Sequence, residues 1–139
     1  MIHTSEMMTF IQPHNERSAK AWSAGGDKYN AISRGISDSI EHAVLRLNPR
    51  PGEMVLDLAT GTGWTSRVVA RRGAKVVGVD IATGLLEAAE RKPAAELLPI
   101  RYLQGDAEGL PFDDASFDAV VSTFGVMFAT RPEAAAKEL

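Results

Sequence analysis

Val55-Leu56-Asp57-Leu58-Ala59-Thr60-Gly61-Thr62-Gly63 carries a short apolar strand, Met54 to Leu58, into a glycine-bearing turn, and Trp64 to Arg72 continues as a helix closed by Gly73. A strand, a glycine turn and a helix in that order make a nucleotide cradle. Gly61 and Gly63 can take backbone angles closed to other residues, and without a Cβ they let a ligand lie against the main chain. The first amides of the helix lack partners within it and are aimed at whatever sits in the turn.

Outward from that stretch the pattern repeats. Lys75 to Val79 is a valine-rich run suited to a buried parallel strand, with Asp80 at its carboxyl end, and Thr83 to Lys92 makes a helix that Pro93 stops. Ile100 to Gln104 gives a third strand, and Gly105-Asp106-Ala107 turns the chain outward. Phe117 to Ser122 gives a fourth, after the Asp113-Asp114 turn. Upstream, residues 1 to 14 show no period, Asn15 to Ala24 reads as a short helix stopped by Gly25-Gly26, and Ile36, Ile40, Ala43, Val44 and Leu47 share one helical face before Pro49, Pro51 and Gly52. Strands alternating with helices predict an α/β fold, a parallel sheet with right-handed crossovers whose ligands bind at the carboxyl ends of the strands. Gly61, Gly63, Asp80 and Asp106 all fall on that edge.

Composition narrows the function. The 139 residues, 45% hydrophobic and 24% charged, describe one globular domain, and a net charge of -3 with no basic cluster beyond Arg71-Arg72 argues against nucleic acid as a partner. With no cysteine there is no disulfide, thiolate nucleophile or thiolate-bound metal, which fits a cytoplasmic protein. No signal-peptide pattern is present, and no apolar run approaches the ~20 residues of a spanning helix, so no membrane role is expected. His3, His14 and His42 are scattered, and no His/Asp/Glu spacing calls for a metal.

The residues resemble the class I methyltransferases that use S-adenosylmethionine, in the small-molecule branch that includes the ubiquinone/menaquinone-biosynthesis enzymes, from about Trp22 onward. In that family the first strand ends in an acid followed by a glycine turn, here Asp57 with Ala59, Thr60, Gly61 and Gly63; Ala59 stands where many members have glycine. The resemblance implies that Asp80, with Ile81 beside it, accepts from both ribose hydroxyls. It implies that Gly105-Asp106-Ala107 is the adenine turn, with Asp106 accepting from the exocyclic amine and the Ala107 amide facing a ring nitrogen. The run Glu108 to Asp118 matches the family's path into the fourth strand, and Ser122 at its end is placed beside the sulfonium. Trp22 and Tyr29 precede the sheet where members fold a lid over the cofactor, and Tyr29 is taken as a cofactor contact. Trp22 reads more readily as packing, and Trp64 as a flank of the site.

The family continues beyond Thr130-Arg131-Pro132-Glu133, a capping-box helix start, into further strands ordered 3-2-1-4-5-7-6. This chain is therefore expected to hold a helical cap region over 1–50 and a partial Rossmann-like domain over 51–139. Its strand order is expected to be 3-2-1-4, with the C-terminal strands absent. The edge at Ala119, Val120 and Val121 would then be unpaired and is expected to join two chains in a homodimer. The expected function is methyl transfer to a small-molecule acceptor by direct displacement, or the cofactor-binding half of such an enzyme, with no dedicated catalytic residue. Two alternatives stand beside it. One is a module that binds S-adenosylmethionine without turnover. The other is a nicotinamide-dependent oxidoreductase, whose fingerprint wants glycine or alanine where Ser66 stands and leaves Gly105-Asp106-Ala107 unexplained.

Overall fold

The computed structural model describes residues 10–92 and 97–139; His3 and the stop at Pro93 lie outside them. Strands β1 (Met54–Leu58), β2 (Lys75–Asp80), β3 (Ile100–Gln104) and β4 (Ala119–Val121) form one sheet in the order β3-β2-β1-β4. Every pairing is parallel, with Leu56 opposite Val77 and Val120, and Val77 opposite Arg101. This is the expected α/β arrangement and order. The two central strands are buried almost end to end, which is why their sequences are nearly continuous in apolar residues.

Alternation along the strands divides the core in two. Val55, Val76 and Val121 pack with Ile40 and Val44 of α3 (Ser37–Leu47) and with Val68 and Val69 of α4 (Trp64–Arg71). Leu56, Leu58, Val77 and Val79 face the other way, against Leu110, Phe112, Phe117 and Val126. Burying each of these side chains contributes about 1.5–3 kcal/mol. Helix α5 (Thr83–Arg91) packs on β2 and β3 and also meets α1 (Glu16–Ser23), so the N-terminal helices are tied to the sheet at two places. The join between α1 and α5 is close: a Cβ on Gly84 would run into the Ser23 carbonyl, and the Gly84 amide donates to Ser23 Oγ at 3.3 Å. The exposed Arg91–Asp27 pair at 3.1 Å adds little to it.

Three local expectations change. Helix α2 (Tyr29–Gly35), interposed between α1 and α3, has no apolar stripe to announce it and buries only Ser33. Strand β4 keeps only three residues because its flanks are engaged elsewhere: Phe117 packs edge-on against Phe112 at 5.0 Å, Asp118 spends its amide and carboxylate on Met54, and Ser122 Oγ accepts from Val126 N at 3.3 Å. The capping box at Thr130 does not form. The Thr130 hydroxyl donates instead to Asn15 Oδ1 at 2.7 Å, and α6 (Pro132–Glu138) starts without a side-chain cap. Among the described residues no helix is long and apolar enough to cross a membrane.

Candidate cofactor site

At the carboxyl end of β1 the chain takes left-handed backbone at Ala59 (φ 60°), Gly61 (φ 58°) and Gly63 (φ 80°). The turn closes through Gly63 N donating to Thr60 O at 2.9 Å and leans on β2 through Thr60 N to Val79 O at 3.0 Å. Gly63 is needed for space as well as for its angle, since a Cβ there would collide with the Tyr102 phenol. Ala59 is the one non-glycine of the three, and its Cβ fills the place that a Cβ on Gly125 would take. A left-handed alanine costs about 1–2 kcal/mol, and glycine gives back about 0.4–1 through the unfolded chain. Ala59→Gly is accordingly expected to raise the melting temperature by about 2–4 °C in a thermal scan. A lower melting temperature would show that the Ala59 methyl matters more than its backbone strain.

Asp57 lies behind this turn, only 1% exposed, with Thr60 and Ser66 hydroxyls each donating to its Oδ2 at 2.7 Å. It thereby ties the turn to the first helical residues of α4. Burial pushes its pKa from 3.8 up to about 6, against the pull of those two hydroxyls. A carboxyl whose pKa is higher folded than unfolded holds its proton better in the folded state, so its contribution favours folding at low pH. That contribution fades as pH rises through about 6. Between pH 4 and 7 the wild type should lose about 2 kcal/mol relative to Asp57→Asn in urea unfolding, at 1.36 kcal/mol per pKa unit. Parallel pH profiles for the two proteins would contradict this.

Two further carboxylates end the next strands. Asp80 is 7% exposed and accepts from Gly61 N at 2.8 Å through Oδ2 and from Ala82 N at 2.9 Å through Oδ1. Burial raises its pKa, and those backbone donors oppose the rise. The Ile81 amide also bears on this carboxylate, which with about four acceptor positions keeps room for a ligand. Asp106, 2% exposed, accepts from Glu108 N on Oδ1 at 3.0 Å and from Gln12 N and Asn15 Nδ2 on Oδ2 at 3.0 and 2.9 Å.

These groups surround one cavity at the carboxyl edge of the sheet. Of the residues singled out from the sequence, Tyr29, Ala59, Thr60, Gly61, Asp80, Ile81, Gly105, Asp106 and Ala107 line it. Asp57 and Gly63 stand behind the turn, and Ser122 opens onto a separate groove along β4. Trp22 and Trp64 also line the cavity. Tyr29 lies across the turn, its ring 3.7 Å from the position of a Cβ on Gly61. Trp22 packs on Tyr29 edge-on at 5.7 Å and on Phe128 at 5.2 Å, giving the cavity an aromatic wall. Sequence reading did not single out Asn15, Ser33 or the Thr123–Val126 stretch, all of which line the cavity. The strand-end rule that picked Ser122 would have reached Thr123 one residue later; Asn15 carries no local signal. Among the described residues, the only charged side chains on the cavity wall are those of Asp80 and Asp106. His42 sits exposed on α3, and among the described residues no cluster of three His, Asp or Glu side chains is placed to hold a metal.

Residues 55–139 match the model of the methyltransferase domain family. The chain belongs to that family. The matched segment starts in β1 and takes in the glycine turn, Asp80 and Asp106. Over 139 aligned positions this methyltransferase domain is 37% identical to an uncharacterized protein of Mycobacterium tuberculosis, covering 95% of this chain and 50% of that one. It is 40% identical over 106 residues to the demethylmenaquinone methyltransferase of Thermobifida fusca, covering 72% of this chain and 45% of that one. Among solved structures, the YcgJ protein of Bacillus subtilis superposes with a TM-score of 0.67 at 26% identity, covering 73% of this chain and 44% of that one. The chain spans about half the length, or less, of these relatives.

Proposed function

We propose that the cavity at the carboxyl edge of β1, β2 and β3 binds S-adenosylmethionine, and that the protein uses it to methylate a small-molecule acceptor. The observation that carries this reading is the cavity's charge: among the described residues its wall offers carboxylates and aromatic faces and no cation. That suits a nucleoside sulfonium, which is attracted by aromatic faces, and opposes the diphosphate of a nicotinamide cofactor. The residues also fit the ligand's parts. The Asp80 carboxylate suits the two hydroxyls of a ribose, and the bare backbone at Gly61, with the Tyr29 ring beside it, gives the chain that bears the sulfur a surface without side chains. Asp106 and the Ala107 amide receive the adenine edge, with Ile81 and Gly105 bordering the base.

S-adenosylmethionine brings an electrophilic methyl on a sulfonium whose departure needs no acid. Bound there, it would give its methyl to an electron pair of the acceptor, the electrons of the broken carbon–sulfur bond staying on sulfur. The chain's own contribution is alignment and exclusion of water. The glycine turn and Asp80 hold the ribose and the sulfur-bearing arm, while Trp22 and Tyr29 of the N-terminal helices and Phe128 of the stretch after β4 wall off solvent. Thr65 and Thr123, whose hydroxyls lie 3.2 Å apart, add a polar patch to the cavity wall. A module that binds the cofactor without turnover would use the same residues, and methyl transfer rather than binding separates the two readings.

The far side of β4 has no strand partner among the described residues, and a groove lined by Phe117, Ala119, Val120 and Leu139 runs along it. We propose that two chains pair there, burying backbone groups otherwise left open. Light scattering at working concentration should then report twice the mass of one chain, and a monomer would count against it.

Calorimetric titration of this chain with S-adenosylhomocysteine and, separately, with NADH tests the cofactor. Saturable one-to-one binding of the former alone is expected. Binding of NADH, or no heat with S-adenosylhomocysteine on a folded chain, overturns the proposal.

A further inference from the structure

Asn15 connects parts of the chain that are remote in sequence. It is 4% exposed, and its side-chain amide uses all its main capacities: Nδ2 donates to Asp106 Oδ2 at 2.9 Å and to Glu108 Oε2, while Oδ1 accepts the Thr130 hydroxyl at 2.7 Å. Only one orientation of the amide satisfies this arrangement, because neither carboxylate can donate. Glu108 is itself pinned, with His14 Nε2 on Oε2 at 2.7 Å and Arg131 N on Oε1 at 2.6 Å. Burial works against its charge, yet these hydrogen bonds hold its carboxyl below the usual range. The 3-10 turn at Pro13–Asn15, the loop after β3 and the segment before α6 thus meet on one amide.

The consequence falls on Asp106. Gln12 N and Asn15 Nδ2 take both acceptor positions of Oδ2, and Glu108 N takes one of Oδ1. A single acceptor position is left, on Oδ1, and the carboxylate cannot rotate to offer another without breaking buried hydrogen bonds. We infer that Asn15 is a positioning residue for base recognition: it locks Asp106 so that its one open acceptor position reads the exocyclic amine of adenine and rejects a carbonyl oxygen in that place. This rests on the cofactor reading above and assigns the N-terminal segment a part in selecting the base.

The probe is a pair of ligands, S-adenosylhomocysteine and its deaminated counterpart S-inosylhomocysteine, which carries a carbonyl oxygen where adenine carries the amine. Calorimetric titration of the whole chain compares the wild type with Asn15→Ala and Asn15→Ser. The quantity read is the ratio of the two affinities. Both ligands meet the same folded fraction, so a variant that is partly unfolded still reports the ratio. The wild type should prefer the adenine ligand by about 100-fold, the scale of leaving a buried charged acceptor opposite another acceptor. Asn15→Ala should shrink that preference at least about tenfold, because Asp106 then keeps only its backbone donors and can turn; Asn15→Ser, which retains one donor, should fall between. If the variants lose affinity for both ligands by the same factor, Asn15 serves the fold alone and the inference is overturned. If the wild type binds neither ligand, the cofactor reading itself falls, and the inference with it.

Discussion

Asp80→Ala is expected to abolish measurable binding of S-adenosylhomocysteine while leaving a folded chain. The carboxylate fixes the Gly61 amide at 2.8 Å and the Ala82 amide at 2.9 Å, and in this account it also holds both ribose hydroxyls. Hydrogen bonds to a charged acceptor are worth about 1.5–3 kcal/mol each, so loss of the two to ribose alone weakens binding by at least about 100-fold. Stability should suffer less than affinity. Burial already raises the pKa of Asp80, so keeping it charged costs folding energy that alanine does not incur. Asp80→Asn should be nearly as damaging to binding: both oxygens accept from backbone amides, so either orientation of an asparagine points its NH2 at a donor. Calorimetry with circular dichroism on the same samples checks both variants. A folded Asp80→Ala chain that binds within about threefold of the wild type would remove Asp80 from the site.

The second large effect is expected at a residue that touches no ligand. Gly84 opens α5 where α1 ends, and a Cβ there would collide with the Ser23 carbonyl and approach Ser23 Cα to 3.0 Å. Backbone cannot swing aside as the tip of a side chain can. Gly84→Ala must therefore push α1 off α5, at a cost of about 1–3 kcal/mol, or a fall in melting temperature of roughly 4–10 °C. Helix α1 carries Ser18 and Trp22 onto the cavity wall, so affinity for S-adenosylhomocysteine should drop as well, by about tenfold. Thermal scans and titration of the one variant read the two effects. An unchanged melting temperature would mean that α1 docks less tightly than its contact with Gly84 implies.

Much of this was legible because its physics is local. Met54 to Leu58 was readable to the residue because a buried parallel strand is an apolar run bounded by turn residues, while the half-buried edge strand Ile100 to Gln104 was readable from the Gly105 turn that ends it. Asp80 and Asp106 were legible because parallel topology brings every strand end to one edge, so an acid at the end of a strand is already near the ligand. The glycine turn could be anticipated, but the division of labour within it could not. Nothing in the order of residues says that Asp57 turns inward to Thr60 and Ser66 while Ala59, Thr60 and Gly61 face the cavity. Long-range partners were harder still. The Thr130 capping box is sound local chemistry, overridden because Asn15, far away in sequence, offers the hydroxyl a better acceptor. For the same reason His14 looked isolated, although its ring nitrogen lies 2.7 Å from Glu108. Strand β4 was overestimated because its flanks are claimed by partners outside the sheet, Phe117 by Phe112 and Ser122 by the Val126 amide, which the segment itself does not announce.

The central claim is that the carboxyl edge of β1 to β3 holds S-adenosylmethionine with its ribose on Asp80 and its base on Asp106. A crystal structure of this chain grown with S-adenosylhomocysteine tests it most directly. The account predicts both ribose hydroxyls within hydrogen-bond distance of the Asp80 carboxylate, the exocyclic amine on Asp106 Oδ1, and the Tyr29 ring in contact with the ligand at the cavity wall. A ligand seated elsewhere, or one lying in this cavity with its ribose turned away from Asp80, would contradict it.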